Sequence, residues 1–298
     1  MWINALTSRR CACMPVHLQP RKPEQHWTTN MDHQRTIDTI STALEHTPGI
    51  QALFLSGSHA TGLADKFSDI DFVMVADDGA TDAVSALWRD AVAQTGEIVL
   101  WWDRTTVPVL INAITADWTR TDVIILKPDE MGHQTQAGLK PLFDHKALHP
   151  TLAKAPRPAK PNTKKFRYQI EEFIRILGLL HLAVGRAEYI NGVLGVFHLR
   201  AALVELMIEE TAAPNRGGIL HLNRLITDEQ KAVLTAMPAP VPEREGMIAA
   251  HLAYAAVYLP RARQRALELG VDWPERFEEV TWARLRDSLG INCPYVRG

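Results

Sequence analysis

The sequence predicts an α/β (α+β) domain with a small mixed sheet, followed by an all-α helical bundle. Three observations predict it. Helical and extended apolar patterns alternate as far as about His149, a proline- and lysine-rich stretch without any period follows, and helical periodicity then runs to the end. The boundaries read from this are a leader over residues 1–30, a catalytic-type α/β domain over 31–150, a linker over 151–165 and a bundle over 166–298.

Each element has a local reason. Ile37, Ile40 and Leu44 recur at helical spacing in a pattern that Met31 opens and Pro48-Gly49 stops. "IQALFLS" and "DIDFVMVA" read as strands lying side by side. "TDAVSALWRDAVAQTG" is an amphipathic helix with Thr81 or Asp82 as its cap and Gly96 at its end. Three more extended runs follow, "EIVLWWD", "VPVLINAIT" and "TDVIILK". In the second half, "FRYQIEEFIRILGLLHLAVGR" reads as one long helix. After it come "EYINGVLGVFHLRAALVELMIEE", "TDEQKAVLTAM", "REGMIAAHLAYAAVYLPRARQRALELG" and "PERFEEVTWARLRDSLG". No internal repeat is visible.

Composition excludes several function classes. The 298 residues are 46% hydrophobic and 22% charged, enough for a sizeable core, and the formal net charge is −2. That balance offers no broad attraction to nucleic acid or to an anionic membrane, and no apolar run approaches about eighteen residues. Three cysteines are too few for a disulfide framework, and Cys11-Ala-Cys13 lacks the second pair of a structural zinc site. The reading is a reduced, cytoplasmic protein. The first thirty residues have neither a sustained apolar core nor a period, which excludes a secretory signal and suggests a disordered leader.

The chemistry is concentrated in "LFLSGSHATGLADKFSDIDFVMV". Asp69 and Asp71 stand two apart in a strand pattern, so their side chains share a face while Ile70 points into the core. Carboxylates at that spacing lie about 6–7 Å apart and repel by roughly 2–3 kcal/mol when both are ionised. A divalent cation reverses the sign, and hard Mg²⁺ prefers carboxylate oxygen with phosphate completing its shell. Upstream, Gly57 allows a tight turn and close backbone approach, and Ser58 is expected to cap a short helix and offer its hydroxyl and N–H to a phosphate.

"GSHATGLADKFSDID" resembles the signature of the nucleotidyltransferase superfamily that shares its fold with DNA polymerase β. The chain from about Met31 is similar to the antibiotic nucleotidyltransferases, the lincosamide and aminoglycoside adenylyltransferases, whose catalytic domain is followed by a helical bundle. "GRAEYI", Gly185 to Ile190, is similar to an Arg-Gly-Glu-Tyr stretch of those enzymes, with Ala187 where glycine is expected. The resemblance implies two Mg²⁺ ions held by Asp69, Asp71 and a third carboxylate on a neighbouring strand. It also implies an NTP donor such as ATP, and often a homodimer.

Glu97, Asp103, Asp117 and Asp122 are the candidates for the third acid. Asp122 is favoured: it sits inside the strong strand "RTDVIIL", where its burial needs a reason, and it matches the family's acid after Arg-x on the last strand. Whether it ligates metal or takes the acceptor's proton is left open. Glu97 and Asp103 flank a strand, and Asp117 reads as a hairpin-turn residue beside Trp118. His59 reads as a solvated loop residue, and one of Trp101 and Trp102 belongs to the core.

The expected activity is Mg²⁺-dependent transfer of a nucleoside monophosphate to the hydroxyl of a small molecule. A protein-modifying (AMPylating or antitoxin-type) nucleotidyltransferase and a non-catalytic nucleotide-binding module are the rivals. The acceptor is expected in a cleft between the domains, with Arg186 reaching the triphosphate and Glu188 binding the acceptor.

Overall fold

The computed structural model describes residues 29–104, 109–156, 161–211 and 221–296. The leader expected over 1–30, with Cys11 and Cys13, lies almost wholly outside the described residues, as does the middle of the proline-rich stretch. The chain divides into two compact units, Met1–Pro156 and Arg157–Gly298.

The first unit is a six-stranded mixed sheet with helices on one face. Helix α1 (Thr29–Leu44) leads to strand β1 (Ile50–Leu55), a one-turn helix α2 (Gly57–Thr61) and strand β2 (Ile70–Ala76). Helix α3 (Asp82–Ala93) follows, then β3 (Ile98–Arg104), β4 (Val109–Thr115), β5 (Arg120–Leu126) and β6 (Lys140–Asp144). The spatial order is β3-β4-β5-β2-β1-β6. Only β2 and β5 pair in parallel; the other neighbours are antiparallel, β1 and β2 among them. β6 was not expected. "KPLFD" is too short and too polar to read as a strand, and it exists because it covers the open edge of β1.

β2 is buried on both faces, which is why it reads as an apolar run rather than an alternation. Its Ile70, Phe72 and Met74 face α1 and α3, meeting Ile37, Ile40, Leu44, Val92 and the fully buried Trp88. Trp88 stands edge-on to Phe72 with ring centroids 5.1 Å apart. Val73 and Val75 face a second, smaller cluster with Phe54, Leu126, Met131 and Leu139, supplied partly by 3-10 turns over Pro128–His133 and Gln136–Gly138. Thr81 caps α3 as expected, accepting from Val84 N at 3.2 Å, but the helix ends at Ala93, three residues before Gly96.

The second unit is helical throughout its described residues. Helices α4 (Thr163–Gly178), α5 (Leu180–Gly185), α6 (Tyr189–Thr211), α7 (Leu222–Leu225), α8 (Asp228–Ala236), α9 (Arg244–Leu269) and α10 (Glu275–Leu289) surround one core. The long helix expected over Phe166–Arg186 is interrupted at Leu179. A His181 ring nitrogen takes the Gly178 carbonyl at 2.6 Å, so Leu182 N turns to Leu179 O instead. α6 and α9 approach so closely that a Cβ on Gly192 would lie 1.8 Å from Met247 Sδ. Phe173 stacks on Tyr258 with centroids 3.9 Å apart. Among the described residues α6 is the helix long and apolar enough to cross a membrane, yet its Leu199, Leu203 and Met207 lie in this core and it carries Glu205, Glu209 and Glu210.

A polar knot closes the end of the chain onto the bundle. Glu278 is 1% exposed and accepts from Arg263 Nη2 (2.6 Å), Trp273 Nε1 (2.7 Å) and Tyr295 OH (2.5 Å). A buried carboxylate is tolerable with its oxygens this fully satisfied.

α5 ends in a Schellman turn: Glu188 N bonds Ala183 O at 2.8 Å and Ala187 N bonds Val184 O at 3.1 Å. That places Ala187 at φ 55, the left-handed position where glycine is ordinarily found. The chain therefore turns at Ala187 rather than at Gly185. Ala187→Gly relieves the Cβ clash and is expected to raise stability by about 0.5–1 kcal/mol. The check is the urea midpoint, which should move upward at unchanged slope.

Candidate active site

β1 ends at Leu55, and the next residue is tied across the sheet: Ser56 N donates to Asp71 O at 2.8 Å. The chain then turns sharply at Gly57, φ +56, and a Cβ there would lie 2.1 Å from Asp71 Oδ2. Glycine is required twice over, for the backbone angle and for the approach to the carboxylate. Ser56, not Ser58, holds the cap position of α2, and it makes no side-chain cap bond. Ser58 lies within the first turn, and its Oγ is buried with no hydrogen-bond partner. The capping role expected for Ser58 is thus replaced by an unused hydroxyl, an arrangement that costs about 1–3 kcal/mol unless something binds it.

The loop from α2 to β2 is fixed by its own side chains. Asp65 Oδ1 accepts from Phe67 N at 2.8 Å, Ser68 Oγ accepts from Asp65 N at 3.0 Å, and Ser68 N donates to Asp65 O at 3.1 Å. Asp69 follows directly, one residue before β2 begins.

The parallel register then decides the site. Asp71 is paired with Asp122, and Ile70 with Thr121. Asp69, Asp71 and Asp122 each offer an oxygen such that these atoms all lie within 4.8 Å of one another. This is tighter than a regular strand repeat gives, because Asp69 stands outside the pleat of β2. Of the four candidates, Asp122 is the one that the structure brings together with Asp69 and Asp71. Asp117 sits in the β4–β5 turn, accepting from Thr115 Oγ1 (2.5 Å) and Thr119 N (3.2 Å). Glu97 and Asp103 are exposed and belong to no acid cluster among the described residues.

The electrostatics show the crowding. Burial, then the charges of Asp69 and Asp122, push the Asp71 carboxyl up to about 6, against a smaller pull from Arg120. Burial also raises Asp122, offset in part by a hydrogen bond from Asn112, its cross-strand partner on β4. Arg120 Nη2 stands 3.5 Å from Asp69 Oδ2 and donates to Phe67 O at 3.3 Å. This arginine was legible only as part of an Arg-x-Asp spacing; that it pairs with Asp69 depends on strand register.

His59 is not the solvated loop residue that was expected. Its ring packs edge-on against His33 of α1, centroids 5.5 Å apart, and its Nε2 is buried without a partner. Burial and then the neighbouring His33 lower its pKa, against an upward pull from Asp69. Trp101 packs against the core while Trp102 is 53% exposed, as strand alternation requires. Arg186 and Glu188 are exposed on the second unit, at the rim of a cavity of ≈ 340 Å³ lined also by Glu172, Arg175, His198 and His251.

The donor set suits a hard divalent cation. Three carboxylates converge from two strands, two of them with raised proton affinity, beside a hydroxyl that lacks a partner.

Residues 37–102 match the family model of the nucleotidyltransferase domain, a span that holds the Gly-Ser turn, Asp69 and Asp71 but not Asp122. The first unit carries a nucleotidyltransferase domain of the polymerase-β-like superfamily. Among solved structures, the chain is similar to an aminoglycoside 6-adenyltransferase from Bacillus subtilis, at 14% identity and TM-score 0.39 over 85% of this chain and 96% of that one. A nucleotidyltransferase-like protein from Exiguobacterium sibiricum 255-15 aligns at 13% identity and TM-score 0.32, over 87% and 88%. The Elizabethkingia meningoseptica CdnE cyclic dinucleotide synthase aligns at 13% and 0.27, over 87% and 92%. No curated protein sequence matches the chain. Likenesses of this size carry no weight for substrate, which rests on the residues of the site.

Asp71→Asn is expected to stabilise the metal-free protein at neutral pH. With its folded pKa raised above the unfolded value, Asp71 binds a proton more tightly in the folded state, so stability falls as pH rises from about 4 through 6. The asparagine variant escapes that fall. Its advantage should be about 1–2 kcal/mol at pH 8, after allowance for solvent screening, and vanish below pH ~4. Urea midpoints at the two pH values, in the presence of a chelator, measure it.

Proposed function

We propose that the chain transfers a nucleoside monophosphate, AMP from ATP, to the hydroxyl of a small molecule of the aminoglycoside or lincosamide kind. The observation that carries this reading is the triad: Asp69, Asp71 and Asp122 with oxygens within 4.8 Å of one another, facing a Gly-Ser turn whose Ser58 hydroxyl is unused. A non-catalytic nucleotide binder has no need of three crowded acids.

In this reading Asp69, Asp71 and Asp122 hold two Mg²⁺ ions. Bound magnesium would neutralise the triphosphate and make the acceptor hydroxyl more acidic. The Ser58 hydroxyl and the Gly57 backbone bind and orient phosphate oxygens, at a turn kept free of side-chain bulk by Gly57. The acceptor oxygen forms its bond to the α-phosphorus as the bond to pyrophosphate breaks, its proton passing to a carboxylate of the triad. Arg186 is assigned to the triphosphate and Glu188 to a hydroxyl or ammonium of the acceptor. The protein is further proposed to act as a homodimer, on analogy with the family resemblance.

Incubation with labelled ATP, Mg²⁺ and a panel of aminoglycosides and lincosamides tests the proposal. Label should appear on at least one acceptor, and Asp69→Asn should reduce its transfer at least about a hundredfold. Near-normal transfer by the Asp69 variant would remove the two-metal assignment. Ser58→Ala should weaken Mg-ATP binding about tenfold to a hundredfold, the worth of one charge-assisted hydrogen bond, while the thermal midpoint of the unliganded protein rises, because the unpartnered hydroxyl is removed. Calorimetry decides this second point, and unchanged affinity would place the phosphates elsewhere.

A further inference from the structure

The row of residues just before the acid pair carries an observation that the transfer chemistry does not use. The parallel ladder of β2 and β5 pairs Ile70 with Thr121 and Asp71 with Asp122, and just before it Arg120 Nη2 stands 3.5 Å from Asp69 Oδ2. Arg120 and Asp122, two apart on β5, share a face. The guanidinium therefore stands beside Asp69, and its charge reaches the other two acids, Asp71 and Asp122, where it acts against the upward push of burial. Its second anchor is the Phe67 carbonyl at 3.3 Å, in the loop braced by Asp65 and Ser68.

We propose that Arg120 is a resident counter-cation of the triad, which yields Asp69 to the arriving metal and transfers to a phosphate oxygen of the nucleotide. This rests on the reading of the triad as a metal centre. Three carboxylates with ligand atoms within 4.8 Å need a neighbouring positive charge to stand together ionised in a partly desolvated site. Arg120 supplies it while no ion is bound. A divalent ion on Asp69 competes for the oxygen that the guanidinium faces and repels the guanidinium through space. The two cations exclude one another at Asp69.

The arginine is free to move, since its side chain and that of Asp69 are 31% and 33% exposed and the ion pair is long. A planar guanidinium suits a phosphate oxygen pair at least as well as a single carboxylate oxygen. A triphosphate entering beside Ser58 thus draws Arg120 off Asp69 and completes the metal site in the same event. Metal and nucleotide binding become mutually dependent, each favouring the other by the same factor. Metal alone binds weakly to this site, which limits unproductive loading. Arg120 is here a positioning residue, acting on the metal site through Asp69.

The test uses the full chain, Mn²⁺ alone, and Mg-ATP, all by titration calorimetry, with Arg120→Gln, Arg120→Lys and Asp71→Asn. Arg120→Gln should bind Mn²⁺ alone about five- to tenfold more tightly and Mg-ATP at least tenfold more weakly, two shifts of opposite sign that simple loss of structure cannot produce. Arg120→Lys keeps the charge and should restore the weak Mn²⁺ affinity of the parent, which also serves if the glutamine variant folds poorly. Mn²⁺ binding that Asp71→Asn abolishes, yet that both Arg120 variants leave unchanged or weaken, overturns the counter-cation while leaving the metal centre standing. Mn²⁺ binding that is absent from the parent, or indifferent to Asp71→Asn, overturns the metal centre and the counter-cation with it.

Discussion

The parallel pairing of β2 with β5 places Asp71 against Asp122 and brings Asp69 within reach of both, and the first unit is organised around holding that row of like charges. At an effective dielectric near 20, two ionised carboxylates about 5 Å apart repel by roughly 3 kcal/mol. A flexible segment would relieve such a repulsion by moving. β2 does not, because Ile70, Phe72 and Met74 on one face and Val73 and Val75 on the other are essentially inaccessible to solvent. Apolar burial worth several kcal/mol thus holds acids that would otherwise separate. β5 is held in the same way by Val123, Ile125 and Leu126, and by β4 on its far side.

The Gly-Ser turn is part of the same construction. Ser56 N is bonded to the Asp71 backbone, and the Gly57 backbone lies where a side chain would displace the Asp71 carboxylate. The Gly-Ser turn and the acid strand therefore cannot shift independently, which fixes the hydroxyl of Ser58 relative to the acids. The unsatisfied Ser58 hydroxyl and the raised Asp71 pKa are the cost of that preorganisation in the unliganded protein.

The helical unit is built on a different principle. α6 is apolar nearly all round, and it buries Val196, Leu199, Leu203 and Met207 in the core while Ile190, Leu194 and Phe197 stay exposed; Gly192 leaves room for the Met247 side chain of α9. Where the packing leaves polar groups inside, they are satisfied together, as around Glu278. Among the described residues of this unit, Ala187, at the turn beside Arg186 and Glu188, is the non-glycine residue held at positive φ.

Much of this was readable in the sequence, for reasons that are local. Asp69 and Asp71 interrupt an apolar run, and only a bound cation makes such an interruption favourable; period two put them on one face. Asp122 stood out because an acid inside "RTDVIIL" demands a partner, whereas Ala187 stood out only against the glycine of the family stretch it resembles, and its left-handed turn came from the structure. Other features were decided by contacts between residues far apart in the chain. β6 pairs because β1 has an open edge, the break at Leu179 depends on where the His181 ring turns, and His59 is half-buried with His33 of α1 packed against its ring. Ser58 was misassigned as a cap because Gly57 and Ser56 share the turn in a way that depends on the Asp71 carboxylate, fourteen residues downstream by number. The sequence by itself determined which residues had to be paired with a cation. Only the tertiary structure decided that Arg120 stands there, because strand register is set by burial across the whole sheet and not by neighbours in the chain.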